Sequence, residues 1–226
     1  MKDTSGRNPG QLLRSGLKQL GLSVDEPVVE QLLVYAGELQ KWNRRINLVA
    51  RNTSPADVIE KHFLDSLTLL PFFESSGAQQ ILLDVGTGAG FPGLVLAVAL
   101  PDLQVILVEP RSKRVSFLRH VIRTLALANV EVVGQRLESV PELYTRNIDF
   151  VTSRAVAEPS VFLPMVAPFL ASGARALLML GREQALQFEI DNPDAGIILE
   201  EKRDVILPFC GAERTVCKVR SEDTPA

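Results

Sequence analysis

Residues 81–93 read ILLDVGTGAGFPG, an apolar run that passes through one aspartate into a cluster of glycines. The run Ile81–Val85 predicts a short buried strand, and residues 94–100 return to a helical pattern. Glycines at 86, 88 and 90 let the backbone between them turn sharply and approach a ligand closely, because no Cβ is in the way. In doubly wound sheets, ligands bind beyond the carboxyl ends of the strands, where this loop lies.

The remainder of the chain after residue 93 alternates in the same way between apolar runs and helical periods. Further helices are predicted at 115–125 and 159–170. Seven strands are predicted, at 81–85, 105–108, 130–133, 149–151, 174–180, 196–201 and 214–219. Such alternation predicts an α/β, Rossmann-like fold with a mainly parallel seven-stranded sheet and helices on both faces.

The region before the first strand is predicted to be entirely helical. Leucines and valines recur at helical spacing from residue 11 to 42, with Pro27 in the first turn of a second helix. A third helix is expected to begin at Pro55 with Ser54 as its N-cap. We therefore divide the chain into a flexible N-terminus (1–8), a helical extension (9–76), the α/β domain (77–220) and a flexible C-terminus (221–226).

Composition limits the classes of protein that this chain can be. Its 226 residues are 46% hydrophobic and 23% charged, as expected for a globular protein with one α/β domain and an extension. Two cysteines and two histidines, without ligand spacing, predict neither a disulfide framework nor a metal site. The sequence offers no signal-peptide pattern and no apolar run of membrane-spanning length, so we expect a cytoplasmic protein without a membrane role. Nothing indicates an obligate dimer, and we expect a monomer.

Glu109 ends the second predicted strand, at the spacing where an acid receives the hydroxyls of a bound ribose. The glycine loop and this acid together indicate an adenosine-type ligand. A dinucleotide fingerprint fails because its third glycine position is Phe91, and a Walker loop fails because the stretch contains no lysine. The pattern D-x-G-x-G-x-G instead resembles the first motif of class I methyltransferases, which use S-adenosyl-L-methionine.

Six short stretches make the resemblance more specific. They are Trp42-Asn43-x-x-x-Asn47-Leu48, His62-x-x-Asp65-Ser66-Leu67, Asp84 to Gly93, Lys113-Arg114-x-x-Phe117-Leu118, Arg136-Leu137-Glu138 and Ser153-Arg154-Ala155. In this order, over roughly residues 30–185, they resemble the ribosomal small-subunit methyltransferase G family, also called glucose-inhibited division protein B. The resemblance implies a class I methyltransferase fold and methylation of N7 of one guanine, at position 527 of 16S rRNA.

The resemblance also implies a set of site residues. Arg154, just past the fourth strand, is expected near the reacting methyl group as a catalytic and cofactor contact. The other cofactor-binding residues that it implies are Gly86, Thr87, Gly88, Gly90, Phe91, Glu109, Leu137 and Glu138. One departure is that the family's Lys-Gly after the fifth strand is here Leu180-Gly181-Arg182, and Arg182 is a replacement of different chemistry.

The residues agree with chemistry at a guanine N7. That nitrogen carries a free lone pair, so no general base has to remove a proton, and alignment of the reactants is the main demand. After the fourth strand the chain lacks the Asn/Asp-Pro-Pro-aromatic motif used on exocyclic amines. Neither Cys210 nor Cys217 lies near that position, so covalent attack on a pyrimidine ring is not supported.

The net charge of −3 argues against a nucleic-acid partner, but the distribution of charge argues for one. Residues 41–51 and 110–123 each carry four or more cations and no acid. The candidate RNA contacts are Arg44, Arg45, Lys113, Arg114, Arg119, Arg123 and Arg182. The partner would be 16S rRNA or the small ribosomal subunit. The alternative is that these cations only make exposed helix faces soluble in water.

Two further questions stay open at the level of sequence. His62 and Asp65 either line the mouth of the substrate site or form a hydrogen-bonded tie between the helical extension and the α/β domain, and we favour the tie. For the whole chain, the alternatives to an rRNA methyltransferase are an enzyme of the same fold acting on a small molecule or protein, and a non-catalytic ribosome-assembly module.

Overall fold

The computed structural model describes residues 8–73, 79–154, 158–191 and 196–223, without the side chains of 189–191. Residues 1–7 and 224–226, which the sequence analysis assigned to flexible termini, lie outside them, as does Ala155 of the sixth matching stretch. None of the helices within these ranges has the length and hydropathy needed to span a membrane.

Seven strands form a single sheet in the order β3-β2-β1-β4-β5-β7-β6. The strands are β1 (Ile81–Val85), β2 (Gln104–Val108), β3 (Val130–Val133), β4 (Phe150–Ser153), β5 (Arg175–Gly181), β6 (Ile197–Ile206) and β7 (Glu213–Ser221). Strands β1 to β5 are parallel, whereas β7 runs antiparallel to both of its neighbours. The predicted α/β fold, with its mainly parallel seven-stranded sheet, is confirmed.

Helices cover both faces of this sheet. They are α1 (Pro9–Leu20), α2 (Glu26–Asn43), α3 (Pro55–Val58), α4 (Asp65–Leu67), α5 (Gly93–Ala99), α6 (Ser112–Thr124), α7 (Pro159–Ala171) and α8 (Arg182–Asp191). One core packs the helices from α1 through α6 against one face of the sheet, and a second core packs α7 and α8 against the other face. The helix α8 was not predicted, because its sequence has no apolar stripe that would mark a helical period.

The N-terminal helices share the first core with the sheet. Residues Leu12, Leu32 and Phe63 from the helices are fully buried in the same cluster as Leu82 and Leu94 from the α/β part. Capping signals set the ends of these helices: Asn8 accepts a hydrogen bond from Gly10, and Gly21 ends α1 in the left-handed region. The placement of the boundary between extension and domain at residue 76 remains a prediction.

The third N-terminal helix is irregular, which the sequence did not predict. It begins at Pro55 with Ser54 as N-cap in a capping box, as expected. After Val58, however, it continues as a π-helix over Ile59–Leu64 before α4 begins at Asp65. Single π-helical turns occur frequently at functional sites, since the wider turn changes the direction in which side chains point.

The π-helix carries a buried carboxylate that ties it to the far end of the chain. Glu60 is only 5% exposed, and its Oε1 accepts hydrogen bonds from the backbone N–H groups of Phe209 and Cys210, both at 2.7 Å. These residues belong to the turn between β6 and β7. Glu60 therefore helps to hold the last hairpin of the sheet against the N-terminal helices.

Replacing Glu60 by alanine is expected to lower the free energy of unfolding by about 2–4 kcal/mol, because two backbone donors lose their acceptor. Urea unfolding followed by circular dichroism measures this loss. Glu60→Gln is the matched control, since its amide oxygen can still accept, and it should lose less than half as much. Equal losses in the two variants would contradict the assigned role of the Glu60 oxygen.

Candidate functional site

A cavity of about 590 Å³ opens at the carboxyl edge of the sheet, beyond β1, β2, β3 and β4. Parallel pairing brings the strand ends together here, because Val85 lies level with Val108 and Asp84 lies level with Thr152. The lining includes eight of the nine predicted cofactor residues: Gly86, Thr87, Gly88, Phe91, Glu109, Leu137, Glu138 and Arg154. This volume falls in the range of cavities that hold small-molecule ligands, roughly 300–1,000 Å³.

The glycine loop is folded back over the end of β2 by backbone hydrogen bonds. The N–H groups of Gly86 and Thr87 both donate to the carbonyl of Val108, at 2.8 and 3.1 Å. Gly86 and Gly88 have φ angles of 68° and 63°, in the left-handed region that glycine adopts without a steric penalty. The result is a turn whose backbone forms part of the cavity wall.

The side chain of Asp84, near the end of β1, fixes the shape of this loop. Its Oδ2 accepts hydrogen bonds from the Thr87 hydroxyl at 2.6 Å and from the Gly93 N–H at 2.8 Å. The side chain is fully buried, and Oδ1 has no partner among the residues that the structure describes. Burial raises the pKa of this carboxyl to about 7, against the lowering effect of its two hydrogen bonds.

Gly90 does not line the cavity, although the sequence placed it with the other glycines. A Cβ at this position would overlap the Tyr35 hydroxyl and would lie 2.9 Å from Leu94. That hydroxyl donates a hydrogen bond to the carbonyl of Ala89, and the Tyr35 ring stacks on Phe91. The absent side chain of Gly90 therefore makes room for helix α2 against the loop.

Glu109, directly after β2, contributes a carboxylate to the wall of the cavity. The side chain is 3% exposed. Its Oε1 accepts from the N–H of Arg111 at 2.8 Å, and its Oε2 lies 3.4 Å from Nη1 of Arg114. The structure thus places Arg114, a predicted RNA contact, in the cavity beside Glu109. Each oxygen keeps a second lone pair with which it can accept from a ligand hydroxyl.

Arg154 lines the cavity from the end of β4, and the π-helix holds it there. Its Nη1 donates to the carbonyl of Lys61 at 2.7 Å, and its Nη2 donates to Nδ1 of His62. Asp65 lies 3.5 Å from the guanidinium, which also sits over the Phe91 ring at 4.9 Å. Burial lowers the pKa of Arg154, and the carboxylate of Asp65 opposes that shift.

The structure shows His62 and Asp65 in a tie between the helical region and the α/β part, and of the two only His62 is among the described residues that line the cavity. Asp65 contacts Arg154 and also accepts a hydrogen bond from Nε of Arg214 at 3.0 Å, which ties the helical region to β4 and β7. His62 takes part in the same tie and also lines the cavity. Desolvation first, and the charge of Arg154 second, lower the pKa of His62 to about 3, so its ring is neutral at neutral pH.

Sequence reasoning missed several residues of the cavity wall. Leu48 and Val49 reach it from the loop after α2, where Oδ1 of Asn43 accepts hydrogen bonds from the N–H groups of both. The matching stretch Trp42-Asn43-x-x-x-Asn47-Leu48 contains Asn43 and Leu48, but the sequence alone does not show that the Asn43 side chain holds this loop at the cavity wall. Met165 from α7, Val85, Val108, Pro110, Arg111 and Arg136 complete the lining, together with Ala89.

The predicted RNA contacts separate into distinct places. Arg44 and Arg45, with Arg51, line a second cavity of about 580 Å³ between α2 and α3, and the lining that the structure describes contains no acid. Lys113, Arg119 and Arg123 are exposed on α6. Arg182 is exposed at the start of α8 and lies 3.3 Å from Glu213. Among the described residues, no cluster of His, Cys, Asp and Glu is suited to a metal ion.

Comparison with known proteins gives a consistent result over most of the chain. Residues 28–217 match the family model described as rRNA small subunit methyltransferase G. A protein of Desulfotalea psychrophila named "Ribosomal RNA small subunit methyltransferase G" is 45% identical over 212 residues, covering 92% of this chain and 96% of its own length. A protein of the same name from Anaeromyxobacter dehalogenans is also 45% identical, over 210 residues, with coverage of 92% and 95%.

Solved structures agree on the fold. The ribosomal protein L11 methylase of Lactobacillus delbrueckii subsp. bulgaricus superposes with a TM-score of 0.52 at 10% identity, over 71% of this chain and 79% of that one. The precorrin-6y C5,15-methyltransferase of Geobacter metallireducens gives 0.50 at 13% identity, over 76% and 93%. At such low identities these likenesses show the fold alone.

The two glycines Gly88 and Gly90 are expected to respond differently to substitution. Gly88→Asp places a charged side chain in the cavity, where a Cβ meets nothing closer than Arg114 at 3.5 Å, so binding of S-adenosylmethionine should be lost. The left-handed φ of 63° costs the aspartate about 1 kcal/mol, which the fold should survive. In Gly90→Ala the added methyl group would overlap the Tyr35 hydroxyl, so the free energy of unfolding should fall by about 2–4 kcal/mol. Calorimetric titration with S-adenosylmethionine and urea unfolding measure the two effects. Loss of stability in Gly88→Asp equal to that in Gly90→Ala would contradict this division.

Asp84→Asn is expected to change how stability depends on pH. The folded protein keeps the Asp84 proton up to about pH 7, whereas the unfolded chain releases it near pH 4, so this group lowers stability as the pH rises between those values. The free energy of unfolding of wild type minus that of Asp84→Asn should therefore fall by about 2–3 kcal/mol from pH 5 to pH 8.

Urea unfolding of both proteins at each pH gives that difference directly. Groups shared by the two proteins cancel, including His62, whose lowered pKa acts in the opposite direction. A difference that does not change between pH 5 and pH 8 would show that Asp84 is ionised throughout.

Proposed function

The chain belongs to the rRNA small subunit methyltransferase G family, and from that premise we propose that it methylates N7 of one guanine in 16S ribosomal RNA, with S-adenosylmethionine as methyl donor. The observation that carries the proposal is the cavity formed by the glycine loop, Glu109 and Arg154. We also propose that the protein acts as a monomer in the cytoplasm, where its RNA substrate is found.

The residues of the cavity fit the donor. Glu109 offers a buried carboxylate to the two ribose hydroxyls, and the left-handed glycines allow the loop backbone to approach closely. Leu137, which is 2% exposed, and Val108 provide apolar surface for an adenine ring. When bound, S-adenosylmethionine supplies an electrophilic methyl group on a positively charged sulfur.

The chain's own contribution to the reaction is positioning. A guanine N7 attacks through its lone pair, so no residue has to take a proton from it. Among the described residues of the lining, His62 and Arg154 are both engaged: Nδ1 of His62 accepts from Arg154, and Arg154 is held by Lys61 and Asp65. Side chains fixed in this way align the base with the methyl group.

The second cavity supports a path for the RNA backbone. Arg44, Arg45 and Arg51 line it without an acid among the described lining residues, so it attracts phosphate. Val49 lines both this cavity and the donor cavity. RNA held by the three arginines would therefore have a nucleotide within reach of Arg154. The cations Lys113, Arg119 and Arg123 on α6 offer further phosphate contacts.

The proposed function is tested with 16S rRNA from cells that lack the gene. Digestion and mass spectrometry should show the loss of one N7-methylguanosine, and the purified protein with S-adenosylmethionine should restore it. Gly88→Asp is the matched control and should not restore the mark. Unchanged N7-methylation in the deletion strain would refute the proposal, and activity on a small molecule or protein in its place would favour the alternative of the same fold.

Reversing the charges of Arg44 and Arg45 to glutamate should raise KM for the rRNA substrate at least tenfold, with little change in the affinity for S-adenosylmethionine. The slope of log affinity against log salt should fall by about 2, because each lost phosphate contact removes roughly one unit. Lys18→Glu, on the exposed side of α1, is the control and should leave both values unchanged. An equal effect of Lys18→Glu would mean that net charge, rather than this cavity, determines binding.

A further inference from the structure

The hydrogen bond between His62 and Arg154 determines which nitrogen of the imidazole carries the proton. A guanidinium can only donate, so Nδ1 of His62 must accept. A neutral imidazole then carries its single proton on Nε2. Burial lowers the pKa of His62 to about 3, so the ring stays in this neutral form at neutral pH.

The ring of His62 is held rigidly at the cavity wall. It stacks on Phe91 with the ring centroids 5.0 Å apart and the planes 22° from parallel. Phe91 is in turn packed against Tyr35 and Phe63 in the first core. Within the described ranges no protein group pairs with Nε2, which lies across the ring from Nδ1. His62 therefore presents to the cavity a donor of fixed position and fixed tautomer.

Guanine carries its matching acceptor beside the atom that is methylated. N7 and the carbonyl O6 lie on the same edge of the base, whereas adenine presents N7 and an amino group there. A fixed donor at this edge is complementary to guanine and meets a second donor in adenine. Discrimination by a buried polar group left unpaired commonly exceeds that by shape alone.

We propose that Nε2–H of His62 donates a hydrogen bond to O6 of the target guanine and thereby selects guanine as the base that is methylated. The assignment rests on the proposed function and concerns the base specificity of the same site.

The test removes the two partners of this hydrogen bond separately and together. The substrate is a reconstituted small ribosomal subunit in which the target guanosine is replaced by 2-aminopurine riboside, which keeps N7 and the 2-amino group but lacks O6. For the wild-type protein, kcat/KM should fall roughly 10- to 100-fold on this substrate. On the guanine substrate, kcat/KM of His62→Leu should fall by a similar factor relative to wild type. On the 2-aminopurine substrate, His62→Leu should have nearly the same kcat/KM as wild type, because the hydrogen bond to O6 is already absent there.

His62→Gln serves as the conservative variant, since its amide can donate in place of Nε2–H, and it should recover part of the dependence on O6. Ser66→Ala is the structural control: its hydroxyl donates to the carbonyl of His62 at 2.6 Å but does not line the cavity, so its ratio of guanine to 2-aminopurine activity should equal that of wild type. Unfolding midpoints and S-adenosylmethionine affinity are measured for every variant.

Two failures are distinguishable in this design. If removal of O6 costs His62→Leu and His62→Gln the same factor as it costs wild type, His62 does not contact O6 and the inference is overturned while the proposed function stands. If the wild-type protein transfers no methyl group to the guanine-containing subunit, the proposed function itself fails.

Discussion

The mostly buried guanidinium of Arg154, whose side chain is 17% exposed, is the constraint on which the rest of the site depends. A cation removed from water costs several kcal/mol unless its charge and its N–H groups are satisfied. Lys61, His62 and Asp65 meet that demand, and all three belong to one segment of five residues that spans the π-helix and the start of α4. Asp65 is shared with Arg214, so the same carboxylate serves β4 and β7. The wider π-helical turn is what brings these groups to one point.

This constraint makes the N-terminal helices part of the site rather than an addition to it. Helix α2 places Tyr35 against the glycine loop, and the π-helix places His62 on Phe91. The loop after α2 contributes Leu48 and Val49 to the cavity wall and joins that wall to the cationic cavity of Arg44 and Arg45. A Rossmann-like sheet alone would offer the donor a binding edge, while the helical region would close the end where we propose that the methyl group reacts.

Much of this architecture could be predicted from the sequence, because strand alternation and the glycine loop are local signals. The ends of β1 and β2, the loop between Asp84 and Gly93, and the burial of Glu109 follow from periodicity and from the geometry of parallel strands. The role of Gly90 could not be predicted, since it depends on Tyr35, which lies 55 residues away in the chain. Likewise the pairing of His62 with Arg154, which are 92 residues apart in the chain, leaves no periodic trace. The π-helix and the placement of Arg114 beside Glu109 are local features, but neither has a sequence pattern that would have revealed it.

A crystal structure of the protein with S-adenosylmethionine tests the central claim most directly. We expect the ribose hydroxyls within hydrogen-bonding distance of Glu109 and the methyl group directed to the end of the cavity where His62 and Arg154 meet. A donor bound outside this cavity, or one whose methyl group points away from these two side chains, would contradict the account.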